Sequence, residues 1–270
     1  MQSHVHHFAL GLEYDGSCFH GWQRQDGERS VQQVLEEALS RVADAPIRAV
    51  AAGRTDAGVH ATQQITSFAT AAVRPLEGWI RGVNSLTPAG LTVCWALPVP
   101  ADFHARYSAT ARRYLYVIIE SERAPAIGRQ LATWSRPGLA DADMHAAART
   151  LLGEHDFSAF RAASCQSKSP NRCIFSIEVR RFDDLVVLDI TANAFLHHMV
   201  RNIAGALLQV GRGERSPAWI GEVLTRRNRA LVGPTAPPNG LYLVDVAYGA
   251  QFVFPRWRAP AILRAIGDVW

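Results

Sequence analysis

The stretch FALGLEY, residues 8–14, carries a large apolar side chain at every second position. This period of two predicts a β-strand. A helix is predicted after it, because Ser30 can cap a helix start and Gln33 stands three positions later, as in a capping box. The apolar residues that follow recur at the helical period. Together these patterns predict a strand followed by a helix that packs on it.

The same reasoning extends along the chain and predicts two halves of similar element order. In the first half, strands are predicted over residues 8–14, 47–52, 63–70 and 91–97, with helices from Ser30 and Pro75. In the second half, strands are predicted over residues 112–119, 174–181, 185–192 and 241–248, with helices over 141–152, 194–210 and 217–227. Each order is β-α-β-β-α-β, which predicts an α+β protein of two ferredoxin-like halves.

The expected sheets are antiparallel or mixed and join around a central cleft. The boundary is predicted between residues 98 and 107, giving an N-terminal half over 1–104 and a C-terminal half over 105–270. The second half includes an extra helix and a C-terminal tail. The stretches 120–137, 162–172 and 229–240 are polar or rich in proline and glycine, so loops are expected there. The tail from Phe252 onward is apolar and is expected to pack back on the body.

Composition excludes several classes of protein. The chain has 270 residues, of which 48% are hydrophobic and 19% charged, so disorder, collagen and coiled coil do not apply. No apolar run approaches the roughly 18 residues that span a bilayer. The N-terminus has no basic stretch followed by an apolar run, so no secretory signal is expected and the expected location is cytoplasmic.

The four cysteines and the charge balance are also informative. No CxxC pair is present, so reduced thiols are expected; a zinc site at Cys165 and Cys173 is the alternative, without the usual ligand spacing. The net charge of +4 permits a polyanionic partner. Lys168 is the one lysine, a bias that codon usage explains, and guanidinium groups suit phosphate contacts and base stacking.

The segment GRTDAGVH, residues 53–60, is the first candidate for chemistry. It lies between two predicted strands and places Arg54 and Asp56 two positions apart, so that in extended chain they point the same way. A neighbouring guanidinium would hold Asp56 ionised. Gly58 permits positive φ and close approach of a ligand. The alternative is a simple turn in which Asp56 bonds its own backbone.

The predicted helix over 194–210 is the second candidate. Its later turns are apolar, whereas His197, His198, Arg201 and Asn202 gather near its start. Arg201 at the edge of a buried helix needs a carboxylate partner, because an unpaired buried charge is costly. Adjacent histidines lie about 100° apart on a helix, so a shared metal ion is not expected.

Two further segments could bind RNA. Arg112 and Arg113 precede Tyr114 and Tyr116 on a strand, which suits phosphate contact and base stacking. An ordinary half-buried strand is the alternative, and Tyr116 is expected to belong to the core. The stretch 157–172 contains Arg161, Lys168 and Arg172 and no acid after Asp156, so it could follow a phosphate backbone or form a solvated loop.

Five segments in one order resemble the TruA-type tRNA pseudouridine synthases. They are EYDGSCFHGWQRQ (13–25), GRTDAGVHA (53–61), FHARYSATARRYLY (103–116), ANAFLHHMVRNIAG (192–205) and GLYLVDV (240–246). They span nearly the whole chain, and all five together are strongly specific. Motifs for phosphate loops, dinucleotide binding, serine hydrolysis and zinc proteolysis are absent from the sequence.

The resemblance implies an enzyme that isomerises uridine to pseudouridine at positions 38, 39 and 40 of the tRNA anticodon arm. It implies a homodimer without cofactor or metal. Asp56 would be the catalytic aspartate, Tyr114 would stack on the target base, Arg201 would pair with Asp56, and Arg54 would help displace the nucleotide. The cleft between the halves would then bind RNA, and the target base would be flipped out of its stem.

Two other functions compete with this interpretation. A non-catalytic RNA-binding protein of ferredoxin-like units would explain the basic balance, although an acidic residue between glycines would repel phosphate. A nucleotide-dependent transferase would need a phosphate loop or carboxylate metal ligands, which the sequence lacks. Turnover without ATP or metal separates the three.

Overall fold

A computed structural model of the chain describes residues 5–256 and 261–264. The protein is a mixed α/β protein and divides into two compact units. The first unit comprises described residues 5–110 and 243–256, and the second comprises 111–242 and 261–264. The predicted boundary after residue 104 lies close to the first division. Residues 243–256, which the prediction placed in the C-terminal half, belong to the first unit.

The first unit has the predicted element order β-α-β-β-α-β. Its elements are β1 (His6–Tyr14), α1 (Val31–Ala43), β2 (Val50–Ala51), β3 (His60–Thr70), α2 (Leu76–Leu86) and β4 (Leu91–Pro98). The strands pair antiparallel in the order β4-β1-β3-β2, with β1 and β3 in the centre. This order is compatible with the predicted ferredoxin-like half. The predicted strand over 47–52 is reduced to two residues.

Apolar packing between this sheet and its helices forms the core of the first unit. Trp79 of α2 is fully buried and contacts Phe8 and Phe68, with ring centroids 5.7 and 5.2 Å away. Ser30 caps α1, where its hydroxyl accepts from the backbone N–H of Gln33 at 3.3 Å, so the helix start is confirmed. These contacts fix β1 and β3, the two strands whose side chains support the candidate site.

The second unit contains more strands than predicted. Its elements are β5 (Ala109–Glu120), β6 (Thr133–Ser135), α3 (Asp141–Arg149), β7 (Gly153–Asp156), β8 (Asn171–Phe182), β9 (Leu185–Ala192), α4 (Met199–Gly211), α5 (Trp219–Arg226), β10 (Leu241–Tyr248) and α6 (Ala261–Arg264). β5 begins in the first unit, and β10 continues into it. The order β5-β9-β8-β7 is antiparallel, whereas β6 pairs parallel to β5, so the sheet is mixed.

Two predictions for this unit are wrong. β6 lies inside the stretch 120–137 that was expected to be a loop. The helix expected from residue 194 begins only at Met199, because His198 has a left-handed backbone with φ of 62°. His197 and His198 therefore precede the helix and their rings lie 4.0 Å apart, so the argument from helical spacing against a shared metal does not apply.

The tail packs on the first unit over residues 252–256, whereas α6 belongs to the second unit. The ring of Phe254 stacks on Trp95 with centroids 5.3 Å apart, and Phe252 packs edge-on against Phe103 at 4.8 Å. Packing of the tail is thus confirmed for these residues, and residues 257–260 and 265–270 lie outside the described part. Among the described residues, none of the helices combines the length and the apolar character that crossing a membrane requires.

Candidate active site

Asp56 lies on a loop between β2 and β3 that we call the Asp56 loop, residues 53–60. Buried polar side chains of β1 and β3 hold this loop. The hydroxyl of Tyr14 on β1 is 2.8 Å from the hydroxyl of Thr55. The amide nitrogen of Gln64 on β3 donates to the carbonyl of Gly53 at 2.7 Å and to the Tyr14 hydroxyl at 3.2 Å. Because these groups are buried, breaking one bond would leave a costly unpaired partner.

Burial also fixes the protonation state of Tyr14. Loss of solvation raises the pKa of Tyr14 to about 12, although hydrogen bonds with Thr55 and Gln64 act in the opposite direction. The phenol therefore stays neutral at physiological pH and can both donate and accept. It is suited to bridging Gln64 and Thr55.

The segment after β1 packs its backbone directly against the Asp56 loop. The N–H of Trp22 donates to the carbonyl of Thr55 at 2.9 Å, and the N–H of Gly16 donates to Nδ1 of His60 at 3.1 Å. A Cβ on Gly16 would stand 2.2 Å from the carbonyl oxygen of Val59. Only glycine permits this approach without displacing the loop.

The loop presents the two residues of the predicted cluster differently. Arg54 is exposed and Asp56 is half-buried. Gly58 has φ of +81°, and the N–H of Val59 donates to the carbonyl of Asp56 at 3.1 Å, which closes a turn. The structure thus places Arg54 and Asp56 on one loop of the first unit. The bonds that hold this loop involve its backbone atoms and the Thr55 hydroxyl.

Tyr114 lies in the second unit on β5, opposite Ile190 of β9. Its side chain is 7% exposed, and its ring meets Phe195 edge-on with centroids 5.1 Å apart. Tyr116 is fully buried, as expected for a core residue. The phenol of Tyr114 is therefore a fixed ring at the rim of the core rather than a mobile side chain.

The arginines beside Tyr114 have structural partners. Arg113 forms two hydrogen bonds to the Asp189 carboxylate at 2.9 and 2.7 Å. Arg112 is 8% exposed and donates to the carbonyl of Asn193 at 2.9 Å. Bidentate pairing and burial fix both groups. They position the strand and the segment before α4.

Arg201, in the first turn of α4, is held by a segment we call the strap, residues 232–239. Its Nε donates to the carbonyl of Ala236 at 2.9 Å, and the N–H of Ala236 donates back to the carbonyl of Arg201 at 3.2 Å. The first bond restrains the guanidinium, and the second joins the backbone of α4 to the strap. Four other strap carbonyls accept side-chain bonds, from Gln209, Arg229, Tyr116 and Thr133.

Asn202 belongs to the support of the strap. It is fully buried and donates to the carbonyl of Phe160 at 2.8 Å. Its side-chain oxygen accepts from the hydroxyl of Thr235 at 2.7 Å and from Arg229 at 3.0 Å. A buried network of this kind is stable because its polar groups are paired with one another.

The predicted RNA-binding residues of the basic loop, residues 157–172, differ from one another. Arg161 donates to the carbonyls of Cys165 and Ser167 at 2.6 and 3.0 Å. Arg172 donates to the Ser167 hydroxyl at 2.8 Å, and burial lowers its pKa. Both arginines shape the loop, whereas Lys168 is exposed.

All four cysteines of the chain, Cys165 included, are free thiols, as expected.

The comparisons with known proteins identify the family. Residues 12–108 and 147–249 match the family model described as tRNA pseudouridine synthase. The chain is 52% identical to tRNA pseudouridine synthase A of Cronobacter sakazakii, over 92% of each chain. It is also 52% identical to tRNA pseudouridine synthase A of Nitrosococcus oceani, covering 93% of this chain and 97% of that one. This chain belongs to the tRNA pseudouridine synthase family.

Membership of this family makes the protein an isomerase that forms pseudouridine in tRNA. A solved structure, the archaeal box H/ACA sRNP Nop10-Cbf5 complex, is similar with a TM-score of 0.32 and 12% identity, covering 87% of this chain and 46% of that one. That likeness is too distant to inform the site.

Sequence reasoning did not single out the groups that hold the site. Tyr14 and Gln64 read as ordinary strand residues, and their roles depend on the pairing of β1 with β3. Thr235 and Arg229 lie in a stretch expected to be a loop. One signal was present: Gln64 is a polar residue inside a strand whose neighbours are buried, and such a side chain needs a partner.

Proposed function

We propose that the carboxylate of Asp56 carries the isomerisation of uridine at positions 38, 39 and 40 of the anticodon stem-loop. The reaction breaks the bond between N1 of the base and C1′ of the ribose and forms a bond from C5 to C1′. C5 loses its hydrogen and N1 gains one, so atoms and electrons balance without a redox partner. A carboxylate can attack carbon or remove a ribose proton in such a reaction.

The observation that carries the proposal is the construction of the Asp56 loop. Buried hydroxyl and amide groups of Tyr14, Thr55 and Gln64 fix its backbone, and Gly16 lets the neighbouring chain close on it. Preorganised placement of one reacting group supplies a large part of catalysis. A loop that only bound RNA would not need a fixed carboxylate, which repels phosphate.

The other roles follow from the chemistry of a paired base. A uridine in a stem must leave the stack before its glycosidic bond is reached. We assign Tyr114 to stacking on the flipped base and Arg54 to displacing it. The pairing of Arg201 with Asp56 stays a prediction, supported by the Nε hydrogen bond that restrains the Arg201 guanidinium.

The assembly is also part of the proposal. We propose that the enzyme acts as a cytoplasmic homodimer on tRNA, with phosphate contacts from the basic loop. In that loop Lys168 has the exposure that such a contact needs. The arginines Arg161 and Arg172 support it by shaping the loop.

The test maps the product directly. Unmodified tRNA transcripts with a single uridine at position 38, 39 or 40 are incubated with enzyme and EDTA, without nucleotide. Pseudouridine is then located by carbodiimide modification and primer extension. Asp102→Asn, which removes an exposed carboxylate of the same unit, is the matched control for Asp56→Asn.

We expect product at each position from wild type and from Asp102→Asn, and none from Asp56→Asn. Product at other positions would contradict the assigned target. Product from Asp56→Asn would remove the catalytic role. Tight tRNA binding without product from any of the proteins would favour the non-catalytic RNA-binding alternative.

A further inference from the structure

An exposed aromatic side chain stands on a short turn of the first unit. The side chain of Tyr107 is 77% exposed, although it is a large aromatic group. It belongs to the segment FHARYSA, residues 103–109, whose part in the function has not yet been assigned. A large exposed ring on a fixed support is a feature that binding surfaces use.

The turn that carries Tyr107 is firmly attached on both sides. Phe103 is buried among Tyr248 and Phe252, with ring centroids 5.2 and 4.8 Å away. The N–H of Ala105 donates to the Ser67 hydroxyl at 3.2 Å, and its carbonyl accepts from the Tyr248 hydroxyl at 2.8 Å. Phe103 and Ala105 therefore face inward, and the turn that follows them, in which the N–H of Ser108 donates to the His104 carbonyl at 2.9 Å, leaves Tyr107 in solvent on a backbone that is held in place.

The side chain itself is supported by its neighbours. The His104 ring stacks on Tyr107 with centroids 4.3 Å apart and planes inclined by 29°. Nδ1 of His104 accepts from the N–H groups of Arg106 and Tyr107 at 3.2 Å each, which fixes that ring. The Arg106 guanidinium lies 5.6 Å from the Tyr107 ring centroid. Because the ring is already ordered, less conformational entropy is lost when a ligand binds to it.

We propose that Tyr107 is a stacking platform for an unpaired base of tRNA, with Arg106 contacting the adjacent phosphate. The inference rests on the proposed function, in which tRNA is the substrate. An aromatic ring beside a guanidinium matches a nucleotide, since every base has a π-face and every linkage a negative charge. The inference assigns Tyr107 and Arg106 to tRNA binding and not to the chemical step.

The experiment measures tRNA binding by fluorescence anisotropy of an unmodified transcript. All variants are made in the Asp56→Asn background, so that no turnover occurs. Tyr107→Leu removes the ring, Tyr107→Phe restores it without the hydroxyl, and Arg106→Gln removes the cation. Val73→Ala is the matched control, because Val73 is 75% exposed in the same unit.

We expect Tyr107→Leu to weaken binding at least about fivefold, as one base–aromatic stack contributes. The salt dependence of binding should not change, because stacking neutralises no phosphate. Tyr107→Phe and Val73→Ala should bind like the parent. Arg106→Gln should lower the salt slope by about 0.7 to 0.9, the share of one phosphate contact.

A dissociation constant for Tyr107→Leu less than about threefold above that of the parent would overturn the inference. Loss of binding in Tyr107→Phe would also overturn it, since a hydroxyl contact would then be responsible. A change of oligomeric state in Tyr107→Leu, measured by light scattering, would assign the ring to an interface between copies. Each binding constant is compared with that of the Asp56→Asn parent, and the turnover assay decides separately whether Asp56 is catalytic.

Discussion

The Asp56 loop and the basic loop differ in whether their own charged side chains help to hold the loop. The Asp56 loop is fixed by side chains of other elements, Tyr14 and Gln64, which bond its backbone and its threonine. The basic loop is fixed in part by its own Arg161 and Arg172, which bond the loop's carbonyl and hydroxyl groups, and in part by Asn202 of α4, which donates to the Phe160 carbonyl. Both loops carry charged residues, but in the basic loop the charged side chains themselves form hydrogen bonds that hold the loop.

This difference shows why charge in a loop is a poor guide to function. An arginine that holds a carbonyl contributes to the shape of its loop, and its positive charge still adds to the local potential. A loop that is supported from outside can present its charged residues to a substrate. The sequence does not distinguish these cases, because Arg161 and Arg172 reach their local partners only in the folded conformation of the loop.

Among changes to the groups that support the two loops, the largest effect is expected from Gly16→Ala. The added Cβ would stand 2.2 Å from the Val59 carbonyl, so the Asp56 loop must move. A displacement near 1 Å lowers kcat about 100-fold. The control is Gly221→Ala on α5, where a Cβ has open space around it. Equal kcat in wild type and Gly16→Ala, measured by pseudouridine formation, would show that the loop position does not matter.

Removal of the Tyr14 hydroxyl should have a smaller effect. Tyr14→Phe deprives Thr55 and Gln64 of a buried partner, and we expect about 1 kcal/mol less stability. We expect kcat to fall about tenfold with unchanged tRNA affinity, because the loop is less well fixed. Tyr242→Phe removes a comparable hydroxyl, which donates to the Leu131 carbonyl at 2.6 Å. If both variants lose stability and kcat alike, Tyr14 has no special part in the site.

The same tyrosine predicts a dependence of stability on alkaline pH. Burial raises the pKa of Tyr14 to about 12, against about 10 in the unfolded chain. Its contribution to stability is complete below pH 10 and is lost as the pH rises through 12, by about 1.4 kcal/mol per unit. Tyr14→Phe lacks this group. Urea unfolding of both proteins between about pH 9 and 11 should therefore show a difference that shrinks as pH rises.

The smallest effect is expected in the basic loop, where the comparison predicts different results for two cations. Lys168→Gln should weaken tRNA binding a few-fold and reduce the salt slope by about 0.7 to 0.9. Arg161→Gln should mainly lower the melting temperature, because two carbonyls lose their donor. Identical salt slopes in wild type and Lys168→Gln would show that Lys168 does not contact an RNA phosphate. Neutralising all three residues should flatten the slope furthest.

The sequence predicted the elements that rest on local periodicity. β1, α1 and α2 have clear periods, and each is found near its predicted bounds. The two helices also have a capping serine or a proline at the start. The start of α4 was missed, because Leu196 fits the helical period although His198 takes a left-handed backbone. β6 was missed because three residues have no detectable period, and its pairing with β5 is decided by tertiary contact.

The candidate site was predictable only in part. Asp56 stood out because an acid between glycines is unusual in a chain of basic character. The supports at Tyr14, Gln64 and Thr235 did not, since buried hydrogen bonds between distant residues leave no pattern in one sequence. Tyr107 likewise has no sequence signal of exposure, because aromatic residues in a chain are most often part of the core.

The most direct test of the central claim separates binding from chemistry in Asp56→Asn. Saturating enzyme is mixed with tRNA containing tritium at C5 of uridine, and tritium release is followed in a single turnover beside the dissociation constant. The account predicts that tRNA binds with nearly unchanged affinity and that release falls below detection. Release at a rate near that of wild type, or loss of binding together with activity, would contradict a catalytic Asp56 on a prebuilt loop.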